Sequence, residues 1–263
     1  MHLPDGVLPV REWLPLAVVG SGAFAAASTR ARQVLDVRRV PVVGFLGAVV
    51  LVLQLINFPL LGGASGHLTG TALLVFAAGL EVATVTMASV LVVQALLLQD
   101  GGLLALGANY VNMVVIPALV ARLFEPVVRG QRGLPWYRGC AAGVAAWCGN
   151  VAGALSCAVQ LAVADIVPVR TALLWMGGCH ALVGAVEGVL TGVSVTVLAR
   201  RRLLHVSTDR IARDISRPGL SNWLTPVLAL AALAAVLVPL ASERPDVLET
   251  LLQHVGRLDH RGR

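Results

Sequence analysis

Two histidines stand where metal chemistry is possible. His2 follows the first residue, so its imidazole lies beside the free α-amine of Met1, and His67 closes the run Gly62-Gly63-Ala64-Ser65-Gly66-His67. The Met1 amine, the His2 amide nitrogen and His2 Nδ1 can close two adjacent chelate rings on one ion, once the amide loses its proton. Nickel(II) and copper(II) reward this set because square-planar coordination favours strong nitrogen donors. A fourth nitrogen is needed, and His67 is the candidate. Four nitrogens in a plane select nickel or copper over magnesium or calcium, and cobalt(II) stays open. The same two histidines also suit an ordinary surface, so the residues alone leave both readings standing.

The chelate requires the chain's own first amine. No basic stretch precedes an apolar one at the start, and Asp5 interrupts it, so no signal peptide is expected. Initiator methionine is removed before small residues, and His2 is bulky, so Met1 is expected to stay.

Further polar residues lie inside apolar runs: Gln94, Asn109, Asn112, Asn150, Gln160, His180 and Glu187. Such groups are costly in lipid and should face the bundle interior. Asn109 and Asn112 share a helix face by their spacing. They are candidates to hydrogen-bond the metal loop and orient its donors, or else simply to bond between helices. His180 and Glu187, two turns apart, could make a second metal site or a proton relay, but a structural or coupling role is preferred. Cys140, Cys148, Cys157 and Cys179 form no CxxC pair and read as small packing residues.

These groups must be positioned by a membrane protein. Of 263 residues, 57% are hydrophobic and 13% charged, and the mean hydropathy is +0.82. A soluble core could not hide so much apolar surface. Apolar runs fall at roughly 11–29, 40–61, 67–80, 82–98, 103–121, 138–164, 171–199 and 222–241. The expectation is an all-α polytopic bundle of about 7–8 transmembrane helices. The third and fourth runs are short, as two small interior helices or an interrupted pair would be.

The net charge is +6, and every basic residue is arginine. The arginines collect in alternate connections: Arg30, Arg32, Arg38 and Arg39; then Arg122, Arg129, Arg132 and Arg138; then Arg200 to Arg202 with Arg210, Arg213 and Arg217. The connections between hold only Arg170. That asymmetry places the N-terminus outside and accounts for the basic charge without nucleic acid. His2 and His67 then share the outer side. The tail after Leu240 carries helical apolar spacing at Val247, Leu248, Leu251, Leu252 and Val255, consistent with a short surface helix. There is no Walker A sequence, so ATP hydrolysis would have to come from a partner.

Several segments resemble one family in its order. Met1-His2-Leu3-Pro4-Asp5-Gly6 is similar to the N-terminal signature of the substrate-capture subunits of cobalt and nickel energy-coupling-factor transporters, the CbiM/NikM family. Ser65-Gly66-His67-Leu68 with Gly70 resembles its internal histidine motif. Val93 to Leu97, Asp100-Gly101-Gly102, and Gly107-Ala108-Asn109 through Asn112-Met113 resemble the next signature. His180 to Gly184 with Glu187-Gly188 and Thr191 resembles a later one. The resemblance covers about residues 1–200. It implies capture of Ni(II) or Co(II) as transported substrate through the Met1 amine, the His2 amide and imidazole, and His67. It also implies a transmembrane coupling protein and two cytoplasmic ATPases as partners, within the cell (inner) membrane.

Pro245-Asp246-Val247-Leu248-Glu249 is similar to a Pro-Asp-Gly-Leu-Glu motif of small accessory subunits, with Val247 where glycine is expected. The expected division is a metal-capture domain over 1–205 and an accessory-like helix and tail over 206–263. Two other functions compete with this reading. A membrane-embedded metalloenzyme would need a general base, but HExxH is absent and no carboxylate neighbours either outer histidine in sequence. A capture subunit for a non-metal vitamin would want an aromatic pocket, and only 5% of residues are aromatic.

Overall fold

The computed structural model describes residues 1–60, 64–130, 134–200 and 244–256. After an irregular N-terminal segment, α1 (Val10–Val34) and α2 (Val40–Leu55) form the first pair. Two short antiparallel strands follow, β1 (Phe58–Pro59) and β2 (Ser65–Gly66). Next come α3 (Thr71–Ala78) and α4 (Leu80–Val93), the latter continuing into a π turn over Gln94–Leu98. The third long rod joins α5 (Leu106–Tyr110), a π turn (Val111–Val115) and α6 (Ile116–Arg129). The long helices α7 (Pro135–Val163) and α8 (Val169–Arg200) complete the bundle, and α9 (Val247–His254) docks on it.

The fold is a helical membrane bundle, as the apolar runs required. Among the described residues, four helices are long and apolar enough to cross a bilayer: Leu80–Leu98, Leu106–Arg129, Pro135–Val163 and Val169–Arg200. The 25-residue α1 is long enough but carries Arg11 and Glu12 in its first turn, and α2 is apolar over 16 residues. The run 222–241 lies outside the described residues. The third run is a half-helix. Gly79, at φ +91°, breaks the chain between α3 and α4, a backbone state in which a side chain would be strained. The eight-residue α3 rises only about 12 Å, too little to cross, and Thr71, Ala72, Leu74, Val75 and Phe76 on it are buried.

Helices α7 and α8 approach through glycines. A Cβ on Gly143 would stand 2.6 Å from Gly188 O, and one on Gly188 would stand 2.8 Å from Gly143 O. Small residues let membrane helices come close enough for dispersion to hold them.

The helix order gives the bundle two distinct ends. At one, the starts of α1, α5 and α8 meet the ends of α4 and α7. At the other, Arg129 Nη2 donates to the last carbonyls of α3, Val75 O (3.2 Å) and Phe76 O (3.4 Å), and Arg138 Nε donates to Val128 O (2.6 Å). Ala31, Val43 and Val82 pack together at that same end.

Candidate metal centre

The N-terminal hexapeptide folds into the first end of the bundle rather than trailing in solvent. Met1, His2 and Leu3 are buried. Asn109 holds the segment with both ends of its amide: Oδ1 accepts from Leu3 N at 2.7 Å, and Nδ2 donates to Leu3 O at 3.0 Å. Gly102 N also donates to Leu3 O (2.8 Å). Asp5 binds the opposite way. Its carboxylate accepts from Leu103 N (3.0 Å), Leu104 N (2.8 Å) and Ala105 N (3.2 Å), satisfying the free N–H groups at the start of α5. A Cβ at Gly102 would overlap the Asp5 backbone and carboxylate. Gly102→Ala is therefore expected to lift the hexapeptide out of its cradle. Metal affinity should fall about 10–100-fold while helical content by circular dichroism stays as in the parent.

This seating brings Met1 N to 3.1 Å from His67 Nε2. His67 Nδ1–H donates to Leu68 O at 3.1 Å, which fixes the tautomer and leaves the Nε2 lone pair facing the amine. Burial, then the nearby ammonium of Met1, push the His67 pKa down to about 3, so this ring stays neutral and able to act as a donor. The His2 ring stacks on His67 with centroids 4.9 Å apart and planes 16° from parallel. His2 Nδ1 lies 3.0 Å from Asp100 Oδ1 as an ion pair, and Nε2 of this buried histidine is without a hydrogen-bond partner. Buried imidazole nitrogens are normally satisfied; an unsatisfied one beside an amine and a second imidazole makes this a candidate place for an ion. Among the described residues, no three His, Cys, Asp or Glu side chains converge as a metal cage. Any metal donor set here would have to include main-chain nitrogen.

The loop carrying His67 is fixed from below. Glu187, buried on α8, accepts from Thr69 N (3.0 Å), Thr69 Oγ1 (2.6 Å), Gly70 N (2.9 Å) and Asn150 Nδ2 (2.7 Å). Gln54 Nε2 donates to Thr69 O at 2.7 Å. Glu187 is thus a fully bonded structural carboxylate that holds the His67 loop at Thr69 and Gly70. His180 Nδ1 contacts Met176 O of its own helix at 2.9 Å.

Asn112 is placed elsewhere. Its side chain bonds Gln160 (2.9 and 2.7 Å) and Ser156 (2.8 Å), not the N-terminal segment, so of the two asparagines only Asn109 reaches the metal loop. All four cysteines are free thiols.

Two carboxylates join the centre that the sequence did not place there. Asp246 Oδ2 accepts from the Met1 ammonium at 2.7 Å. Burial works against its charge, but the ammonium beside it and the Glu249 N–H outweigh that, so its carboxyl titrates below the ordinary range. Asp100 is likewise held well below the usual carboxylate range: burial opposes, and attraction to the neighbouring His2 ring outweighs it. The segment bearing Asp246 is anchored by Ser65 N to Pro245 O (2.8 Å), Ser65 Oγ to Arg244 O (2.7 Å) and Trp175 Nε1 to Val247 O (3.0 Å). Val247, Leu248, Leu251 and Leu252 are in the core. The expected surface helix of the tail is a buried one, closing over the centre.

A polytopic bundle with nitrogen donors gathered and buried at one end has the form of a membrane carrier for a metal ion. Residues 2–204 match the CbiM family, the cobalt uptake substrate-specific transmembrane region. The chain belongs to that family: it is a multi-pass membrane protein and a cobalt or nickel transport component, not an enzyme. It is 29% identical over 245 residues to a putative fused nickel transport protein, NikMN, of Archaeoglobus fulgidus, covering 90% of this chain and 74% of that one. It is 30% identical over 287 residues to the cobalt transport protein CbiM of Geobacter sulfurreducens, covering 97% and 78%. A crystal structure described as a transition metal transporter superposes with TM-score 0.69 at 25% identity, over 80% of this chain and 99% of that one. A truncated transition metal transporter gives 0.68 at 26% identity, over 76% and 99%.

Proposed function

We propose that this chain is the substrate-specific component of an ATP-driven energy-coupling-factor importer. It captures Ni(II) or Co(II) at the outer face of the cell membrane through the Met1 amine, the His2 amide and Nδ1, and His67 Nε2. The observation that carries the reading is the 3.1 Å approach of Met1 N to His67 Nε2 beside the buried His2 ring stacked on it. In a square plane with the His2 amide at the centre of the chelate, the fourth donor lies beside the amine. Donors about 2 Å from one ion and at right angles to each other stand about 2.8 Å apart. The pair is already close to that separation.

Sidedness supports the same reading. Arg30, Arg32, Arg39, Arg122, Arg129, Arg138 and Arg200 fall at or near the end of the bundle opposite the centre, which the positive-inside rule assigns to the cytoplasm. A transmembrane coupling protein and two ATPases would act from that side. The match over 2–204 supports a capture unit over 1–205, with 206–263 as the accessory-like appendage.

The chemistry gives a signed pH dependence. In the empty site the amine holds its proton in the ion pair with Asp246. Binding expels that proton and the amide proton, while neutral His67 gives up none. Each ion bound should release two protons, and apparent affinity should rise about 100-fold per pH unit while the amine remains protonated. Potentiometric titration of Ni(II) into weakly buffered protein counts them. Release near zero would remove the amine and amide as donors.

A further inference from the structure

The proposed ligand set leaves a charge unbalanced, and the structure supplies the balance from the far end of the chain. A divalent ion with one deprotonated amide carries net charge +1. Met1 and His67 around it are 2% and 6% exposed, and an unpaired charge in such a place is strongly disfavoured. Asp246 Oδ2 is 2.7 Å from Met1 N. Like the 3.1 Å separation to His67 Nε2, this is the spacing of neighbouring donors around one ion.

Resting on the ligand set proposed above, we propose that Asp246 is a working part of the metal centre. It pairs with the ammonium when the site is empty and supplies the negative charge that neutralises the divalent ion when it is loaded. The site is then neutral in both states: ammonium with carboxylate, or ion with amide anion and carboxylate. Exchange of one cation for the other needs no new counter-charge to arrive, only departure of protons. Asp100 does not duplicate this role, because its side chain is 39% exposed and water screens it. The capture centre is therefore completed by the C-terminal segment, outside the stretch that matches the family.

Asp246 has a second, structural job that must be separated from the first. Its Oδ1 caps α9 by accepting from Glu249 N at 2.7 Å, and Glu249 Oε2 accepts in return from Asp246 N at 3.1 Å. Two substitutions divide the roles. Asp246→Asn keeps a good cap and removes the charge; Asp246→Glu keeps the charge and weakens the cap. Ni(II) and Co(II) affinities are measured by equilibrium dialysis on the detergent-solubilised full chain. The expected order is parent, then Asp246→Glu, then Asp246→Asn, with the asparagine variant about 10–100-fold weaker than the parent for both metals. Parent-like binding by Asp246→Asn overturns the inference, and so does the reverse order, in which the cap alone would matter. If the parent itself binds neither metal, the ligand set fails first and this inference with it.

Discussion

Acetylation of the Met1 amine is expected to abolish Ni(II) and Co(II) binding while the bundle still folds. The acetyl group turns the primary amine into an amide nitrogen and supplies no new amine, so the five-membered ring between the Met1 nitrogen and the His2 amide loses its basic donor. The acetyl group also has no room, since Met1 is buried and its methyl group lies against Gly153. Binding energies of four-donor sites run to about 10–16 kcal/mol, so one lost donor of four removes roughly 3–4 kcal/mol, or about 10²–10³-fold in affinity. Displacement of the His2 amide adds to that. Isothermal calorimetry of the acetylated and parent chains measures it directly. The amine is refuted as a donor if the acetylated chain binds nickel as the parent does.

The features of this centre that could be read in the sequence are those encoded locally. The chelating trio is three consecutive donor positions at the chain start, and the arginine asymmetry is a matter of which loops hold charge. His67 could be named because a glycine-rich run precedes it. Asp246 could not be placed, because nothing in a sequence says that position 246 returns to position 1. The available signals were the Asp-x-x-Glu capping pattern and the apolar stripe of α9, which announce a helix with one buried face but not what that face meets. Asn112 lies away from the centre for a different reason. Its pairing with Asn109 assumed an unbroken α-helical period, and the π turn over Val111–Val115 inserts an extra residue into that period. Asn112 is carried round to Gln160 and Ser156, while Asn109, in the α turn before it, keeps its aim on Leu3. For Glu187 the sequence suggests a structural or coupling role; the four donors that satisfy it come from two other segments and leave no trace in its neighbours.

Those four donors make Glu187 the side chain whose loss should cost most stability. Glu187→Ala leaves Thr69 N, Thr69 Oγ1, Gly70 N and Asn150 Nδ2 facing a cavity with no acceptor. Each stranded donor costs about 1–3 kcal/mol, partly recovered if water enters, so roughly 3–5 kcal/mol is expected. For a chain of this size that lowers Tm by about 10 °C. Glu187→Gln should fall between. Its NH2 group must take the place of one carboxylate oxygen. On the side of Thr69 N and Asn150, the asparagine can turn its unpaired Oδ1 inward and accept. One backbone donor then still meets a donor, a loss of about 1–2 kcal/mol. The expected order of melting temperatures is Glu, Gln, Ala. Metal affinity should follow it, because Thr69 and Gly70 set the loop that aims His67 at the amine. A glutamine variant that melted below the alanine variant would show that the carboxylate is held by something other than these four bonds. If instead all three melted alike, the His67 loop would owe its position to Gln54 and to packing, and α8 could move without disturbing the ion.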